Sequence, residues 1–188
     1  MKPSIVVVDD FLTYPDQDRE LALTLSYARS PDYKGWRSEE NCLNDSLKRS
    51  FEKLLNRRIT SWEDQPMNGK YQFCTPTDPI VFHCDGQSHA GTIYLTPNAP
   101  LESGLCLYRH KASGKRHCRT DEDAALLFSG EGDNRFFDST RWELVDRIAN
   151  VYNRLVLFDA RHVHAAGAYF GSTISDARLF AMFFFQAE

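Results

Sequence analysis

PIVFHCDGQSHAGTIYLTPNAPLESGLCLYRH, residues 79–110, strings together three short apolar runs, PIVFH at 79–83, GTIYL at 91–95 and GLCLYRH at 104–110. Turn-forming residues separate them, and no helical periodicity intervenes. Runs of this length bounded by Gly, Pro, Asn and Asp read as β-strands. Outward from this stretch the same signature returns in IVVV at 5–8, RLVLFD at 154–159 and RLFAMFFF at 178–185. Helical spacing of apolar residues predicts helices over about 16–29, 44–57 and 139–151, each opening on Asp, Asn or Ser as a cap. The Gly- and charge-rich segment 129–139 reads as an exposed loop and a candidate lid. Helices lead and strands dominate the second half without βαβ alternation, so an α+β protein on an antiparallel sandwich or barrel is expected.

At 188 residues, 42% apolar, with 13 Phe, 8 Tyr and 3 Trp, the chain suits one domain with a sizeable core. A net charge of −4 offers no basic face for a phosphate backbone, so no nucleic-acid partner is expected. The five cysteines are odd in number, widely spaced and free of any CxxC pair, which argues against a disulfide framework and a thiolate zinc site and for a reducing, cytoplasmic setting. The opening MKPSIVVVDDFLTYPD has too short an apolar run for a signal peptide, and no stretch approaches a membrane span. No GxGxxG, Walker loop or GxSxG elbow occurs, which removes the usual nucleotide-binding and serine-hydrolase readings.

The chemistry-bearing residues begin with His83-Cys84-Asp85 at the expected strand end. In extended chain, residues two apart face the same side with Cα atoms roughly 7 Å apart, so an imidazole and a carboxylate can converge on one metal ion. Roughly half of one such pair arises by composition alone, so the pattern is cheap by itself. A distal histidine after RLVLFD would complete a two-His-one-carboxylate face, and by position both His162 and His164 qualify; either also reads as an ordinary loop histidine. Arg178 opens RLFAMFFF, a run apolar on both alternating faces and so buried on both sides. A guanidinium there needs an anion, from a protein carboxylate at an exposed strand start or from a ligand carboxylate. Cys84 points to the opposite face and reads as a core cysteine. His89, His110 and His117 sit in polar surroundings and read as non-ligands, and the basic segment 108–119 reads as a solvated hairpin.

In order, HCD at 83–85, GTIYLTPNAPLESGLCLYRHK at 91–111, NRLVLFDARHVHAAGAYFG at 153–171 and ARLFAMFFF at 177–185 resemble the iron(II)/2-oxoglutarate-dependent dioxygenases, close to the prolyl-4-hydroxylase-like branch, over about 79–185. The resemblance implies a double-stranded β-helix, a cupin-type jelly roll with its core at about 70–188, backed by N-terminal covering helices within a single domain spanning 1–188. It implies His83, Asp85 and His164 as iron ligands, with Tyr94 and Arg178 holding the far carboxylate of 2-oxoglutarate. The choice of His164 over His162 follows from HAAGAYFG after it, although 14 residues to Arg178 is a long separation for such enzymes. Dioxygen would be the oxidant and ascorbate a stimulant. The product chemistry would be hydroxylation of an unactivated C–H bond in an amino-acid-like small molecule or a peptidyl side chain, with succinate and CO2 released. Asp85 stands where halogenating relatives carry a small residue, which favours hydroxylation. Two readings from other classes are a non-enzymatic metal- or ligand-binding jelly roll, which the Arg178–Tyr94 pair disfavours, and a cupin-type metal-dependent hydrolase or isomerase, which would bring further His or Glu ligands.

Overall fold

The computed structural model describes residues 4–31, 33–130 and 133–188. Through these the chain runs β1 (Ile5–Val8), α1 (Pro15–Thr24), β2 (Tyr27–Ala28), β3 (Trp36–Asn41), α2 (Asp45–Leu55), β4 (Ile59–Ser61), β5 (Lys70–Cys74), β6 (His89–Tyr94), β7 (Leu105–His110), α3 (Asp121–Leu127), β8 (Trp142–Ile148), β9 (Leu155–Phe158), β10 (His164–Ala166) and β11 (Arg178–Ala187). The protein is mostly β, and its strand pairs are antiparallel. A larger sheet has the order β1-β9-β6-β11-β5-β3-β2, with β4 against the end of β11, and a smaller one has the order β10-β7-β8. No described helix is long and apolar enough to cross a membrane.

The apolar run RLFAMFFF explains this layering. Successive strand residues point to opposite faces, so β11 in the middle of the larger sheet feeds two cores. Leu179, Ala181, Phe183 and Phe185 join Tyr71, Ile93, Leu155 and Leu157, and this face is covered by Ala22 of α1 with Phe51 and Leu55 of α2. Phe180 and Met182 point the other way, to Tyr94, Val156 and Phe158, where Leu105, Leu107 and Ile148 of the smaller sheet close over them. Each such side chain contributes about 1.5–3 kcal/mol by leaving water.

Helix α2 shows how the first core is capped. Asn44 accepts the Leu47 amide at 2.9 Å, which satisfies one orphan N–H of the first turn. Asn56 stops the helix in the left-handed region at φ 50°. Phe51 and Leu55, one turn apart, share a face, and the Phe51 ring meets Phe183 edge-on at 5.0 Å and Trp62 at 5.7 Å.

Three expectations about elements need correction. Residues 139–151 are no helix: Ser139–Arg141 form a 3-10 turn and Trp142–Ile148 form β8. Trp142, Val145 and Ile148 mimic helical spacing because a bulge against β7 interrupts the strand alternation and leaves Leu144 and Val145 exposed. Residues 79–83 form no ladder strand; only His83 pairs, in a single bridge to His164. The first helix ends at Thr24, and Tyr27–Ala28 pair with β3 instead. In the segment read as a loop and lid, residues 131–132 lie outside the described residues, and its flanks form 3-10 turns at Asp133–Phe136 and Ser139–Arg141.

Phe51→Ala should remove the centre of the aromatic cluster under α2, lowering unfolding free energy by about 3–5 kcal/mol. Urea unfolding followed by circular dichroism measures this, and a loss under about 1 kcal/mol would mean the helix is not part of the cooperative core.

Candidate active site

The cluster begins with backbone pairing. The His83 amide donates to the His164 carbonyl at 3.1 Å and the His164 amide returns a bond to the His83 carbonyl at 2.9 Å. A residue pair exchanging both bonds stands directly opposite across two strands, and the two imidazoles lie side by side with ring centroids 4.2 Å apart. Asp85 is fixed by its amide, which donates to the Ala160 carbonyl at 2.9 Å. Its carboxylate then lies 3.8 Å from His83 Nε2 and 3.4 Å from His164 Nε2. One ligand atom from each of the three residues falls within 4.8 Å of the others.

Proton placement follows from the partners. His83 Nδ1 lies 3.0 Å from the Val81 carbonyl and His164 Nδ1 lies 2.8 Å from the His162 carbonyl. A carbonyl only accepts, so both Nδ1 atoms carry the proton and both Nε2 atoms present a lone pair to Asp85. Asp85 Oδ2 is itself buried with no hydrogen bond. Such an arrangement is costly unless something positive sits among the three donors, either an extra proton or a metal cation. Burial, reinforced by the His164 imidazole, holds His83 below the ordinary imidazole range, which opposes the extra proton. Burial pushes the Asp85 carboxyl up, but the facing histidines and the Arg37 guanidinium outweigh it and keep the group below the usual carboxylate range. The set fits a divalent cation with room for exogenous ligands.

On the same face of the larger sheet, Arg178 is 5% exposed. Its Nε donates to the Ser103 carbonyl at 2.6 Å. That acceptor is held in place: the Ser103 amide and hydroxyl both donate to the Pro100 carbonyl, and Asn150 Nδ2 donates to the Ser103 hydroxyl. Gly104 beside it is required, since a Cβ there would sit 1.8 Å from the Ile148 carbonyl oxygen. Among the described residues no carboxylate pairs with Arg178. The guanidinium lies 5.4 Å from the Tyr94 ring and 4.4 Å from the Phe180 ring. The Tyr94 hydroxyl is fully buried without a hydrogen-bond partner, and burial raises its pKa. An unpaired guanidinium beside an unsatisfied hydroxyl is a place for a ligand carboxylate.

The other sequence candidates separate from this cluster. The His162 ring meets His117 edge-on at 4.5 Å and its Nδ1 bonds the Val163 carbonyl, so only its backbone supports His164. Cys84 packs with Phe82, Val163 and Cys118. His89 opens β6 and His110 closes β7, strand ends bonded to Ser88 and Ser113, and both are buried; His89 stacks on Phe185 and His110 lies against Trp142. Sequence reasoning passed over Arg37, Gln72 and Tyr169, which border the same face: Arg37 bonds Gln72 and the Tyr169 ring lies 6.0 Å from Arg178. WRSEEN at 36–41 and KYQFC at 70–74 lack the apolar runs that mark strands, so neither residue had an assigned direction.

No protein-family model matches the chain, and no curated protein matches it. Solved structures do. HygX from Streptomyces hygroscopicus, with nickel and 2-oxoglutarate bound, aligns at a TM-score of 0.58 with 12% identity over 96% of this chain and 82% of that one. A prolyl hydroxylase in complex with a hypoxia inducible factor oxygen degradation domain peptide fragment from Trichoplax adhaerens aligns at 0.53 with 12% identity, covering 97% and 83%. The non-haem α-ketoglutarate-dependent carbocyclase SnoK from nogalamycin biosynthesis aligns at 0.53 with 15% identity, covering 96% and 78%. The chain therefore shares its fold with iron(II)/2-oxoglutarate oxygenases.

The two neighbouring histidines give a direct test of the donor set. His164→Ala should abolish tight binding of iron(II) or nickel(II), while His162→Ala, which keeps the carbonyl that orients His164, should weaken it by less than about tenfold. Metal titration by calorimetry decides, and the reverse order of effects would move the third ligand to His162.

Proposed function

We propose that this chain is a non-haem iron(II) enzyme that uses 2-oxoglutarate and dioxygen to hydroxylate an unactivated C–H bond, with the metal held by His83, Asp85 and His164. The observation that carries this reading is the set of three proton-free donors, two Nε2 atoms and the Asp85 carboxylate, facing one point with no hydrogen bond among them. The reading extends to a single jelly-roll domain covered by α1 and α2 and to a cytoplasmic setting. Fold neighbours solved with nickel and 2-oxoglutarate, with a peptide, and as a carbocyclase support the cofactor set and leave the substrate class broad. It extends further to a small amino-acid-like molecule or a peptidyl side chain as substrate.

Bound iron, with 2-oxoglutarate and dioxygen, would supply the oxidising power, 2-oxoglutarate leaving as succinate and CO2. The residues of the chain do the rest. The Val81 and His162 carbonyls fix the tautomer and direction of both imidazoles, so neither ring turns a proton toward the metal position. Asp85 would contribute the anionic ligand beside the two imidazoles. Arg178, anchored through Nε, turns its remaining donors to the far carboxylate of 2-oxoglutarate, and the Tyr94 hydroxyl adds a hydrogen bond to the same group. Leu105, Leu107, Val156 and Phe158 line this face and exclude water from it.

Metal-stripped protein given iron(II), 2-oxoglutarate and ascorbate in air should form succinate slowly without added substrate, as chromatography of the quenched mixture would show. No succinate above a metal-free control from folded protein would leave a binding module in place of an enzyme. Arg178→Ala should weaken 2-oxoglutarate about 30- to 4,000-fold, the loss of a desolvated charge pair worth about 2–5 kcal/mol, while metal titration stays near the parent value. Unchanged affinity would remove Arg178 from the site.

A further inference from the structure

A second guanidinium faces the same side of the larger sheet without an assigned task. Arg37 of β3 stands opposite Gln72 of β5, Gln72 opposite Phe180 of β11, and Phe180 opposite Tyr94 of β6. Residues directly opposite on neighbouring strands share a face, so Arg37 shares the face of Tyr94, Phe180 and, two residues before Phe180, Arg178. The Arg37 side chain is partly buried. Its Nε donates to Gln72 Oε1 at 2.8 Å and its plane lies over the Tyr33 ring at 4.0 Å. One bond and one stacking contact orient the fork and leave its other donors free.

Among the described residues no carboxylate lies within ion-pair reach of Arg37. Asp78, the buried acid between β5 and the His83 segment, is taken by Arg29 and by the Gly35 and Thr75 amides. Burial opposes the charge of Arg37, so the position carries a standing cost that an anionic ligand would offset. Arg178 lies deeper and is engaged by the Ser103 carbonyl, and Phe180 stands in the row between Gln72 and Tyr94. The two arginines therefore offer separate donors on one face of the sheet.

We propose that Arg37 receives a carboxylate of the primary substrate, which makes the substrate a small carboxylic acid. The proposal rests on the iron and 2-oxoglutarate reading above. Gln72 and Tyr33 are positioning residues that hold the fork toward the incoming acid, and the acid end fixes which carbon lies nearest the metal.

The test uses full-length protein under anaerobic conditions with iron(II) and 2-oxoglutarate. The probes are the free amino acids and short straight-chain carboxylic acids, each paired with its primary amide. Binding is read by calorimetry and by perturbation of the visible iron(II)–2-oxoglutarate band. At least one acid should bind about tenfold or more tighter than its amide, Arg37→Gln should erase that preference, and Arg37→Lys, which keeps charge but loses the fork, should keep part of it. Absence of binding by every acid, equal binding of acid and amide, or an unchanged preference in Arg37→Gln overturns the proposal. Thermal melts check folding, and if Arg37→Gln unfolds, a folded Arg37→Lys with undiminished preference overturns it equally. Failure of the band to form with wild-type protein counts against the parent reading alone, since acid-against-amide calorimetry on metal-free protein still reads Arg37.

Discussion

The reciprocal backbone pair between His83 and His164 is the constraint on which the site depends. Two short hydrogen bonds, 3.1 and 2.9 Å, join a segment that forms no other ladder to the edge strand of the smaller sheet. An antiparallel pair that exchanges both bonds fixes the separation and relative direction of its side chains more tightly than any loop contact. Asp85, two residues beyond His83, inherits its position from that pair and from its own bond to Ala160. The three donors are thus placed by main chain, and side-chain packing such as Phe158 against the His164 ring at 4.9 Å adjusts them.

Arg178 depends on a different part of the architecture, the double-faced strand β11. Its neighbours Phe180 and Met182 hold the smaller sheet, while Leu179, Ala181, Phe183 and Phe185 hold the helices. The guanidinium sits where that strand enters the sheet, so its backbone cannot move without disturbing both cores. Gly104 lets the chain approach Ile148 closely enough to bring the Ser103 carbonyl to Nε. A rigid anchor on one nitrogen leaves the others preorganised, which lowers the ordering cost of holding a carboxylate.

Much of this was legible from residue patterns, for reasons that differ by element. β11, β9, β7 and β6 are buried and apolar, so period and composition marked them. β3 is largely exposed and polar, and a bulge interrupts the alternation of β8, so the same rule missed one and took the other for a helix. His83, Asp85 and Arg178 carried local signals, His164 shared its signal with His162, and Tyr94 came only with the family resemblance. The separation of His162 from His164 did not follow from spacing, because residues two apart in extended chain share a face. His162 instead bridges to His117 outside the named strands, and its ring meets that histidine away from the His83–Asp85–His164 cluster. Arg37 and Gln72 were invisible because their facing depends on strand order, which lies in long-range pairing and not in either segment.

Charge balance ties the two arginines to one chemistry. With the divalent ion proposed above, Arg178 and Arg37 would outweigh Asp85 by three charges on a face that is largely apolar. The chain as a whole is acidic, at −4, so this excess is local and would draw anions to the cleft. A dicarboxylate co-substrate removes two of the three, and an uncharged substrate would leave one cation partly buried and unpaired, which is costly. A substrate carboxylate on Arg37 brings the sum to zero. On the proposed reading the deep arginine takes the co-substrate, and the remaining positive charge would select an acid over a neutral competitor of the same shape.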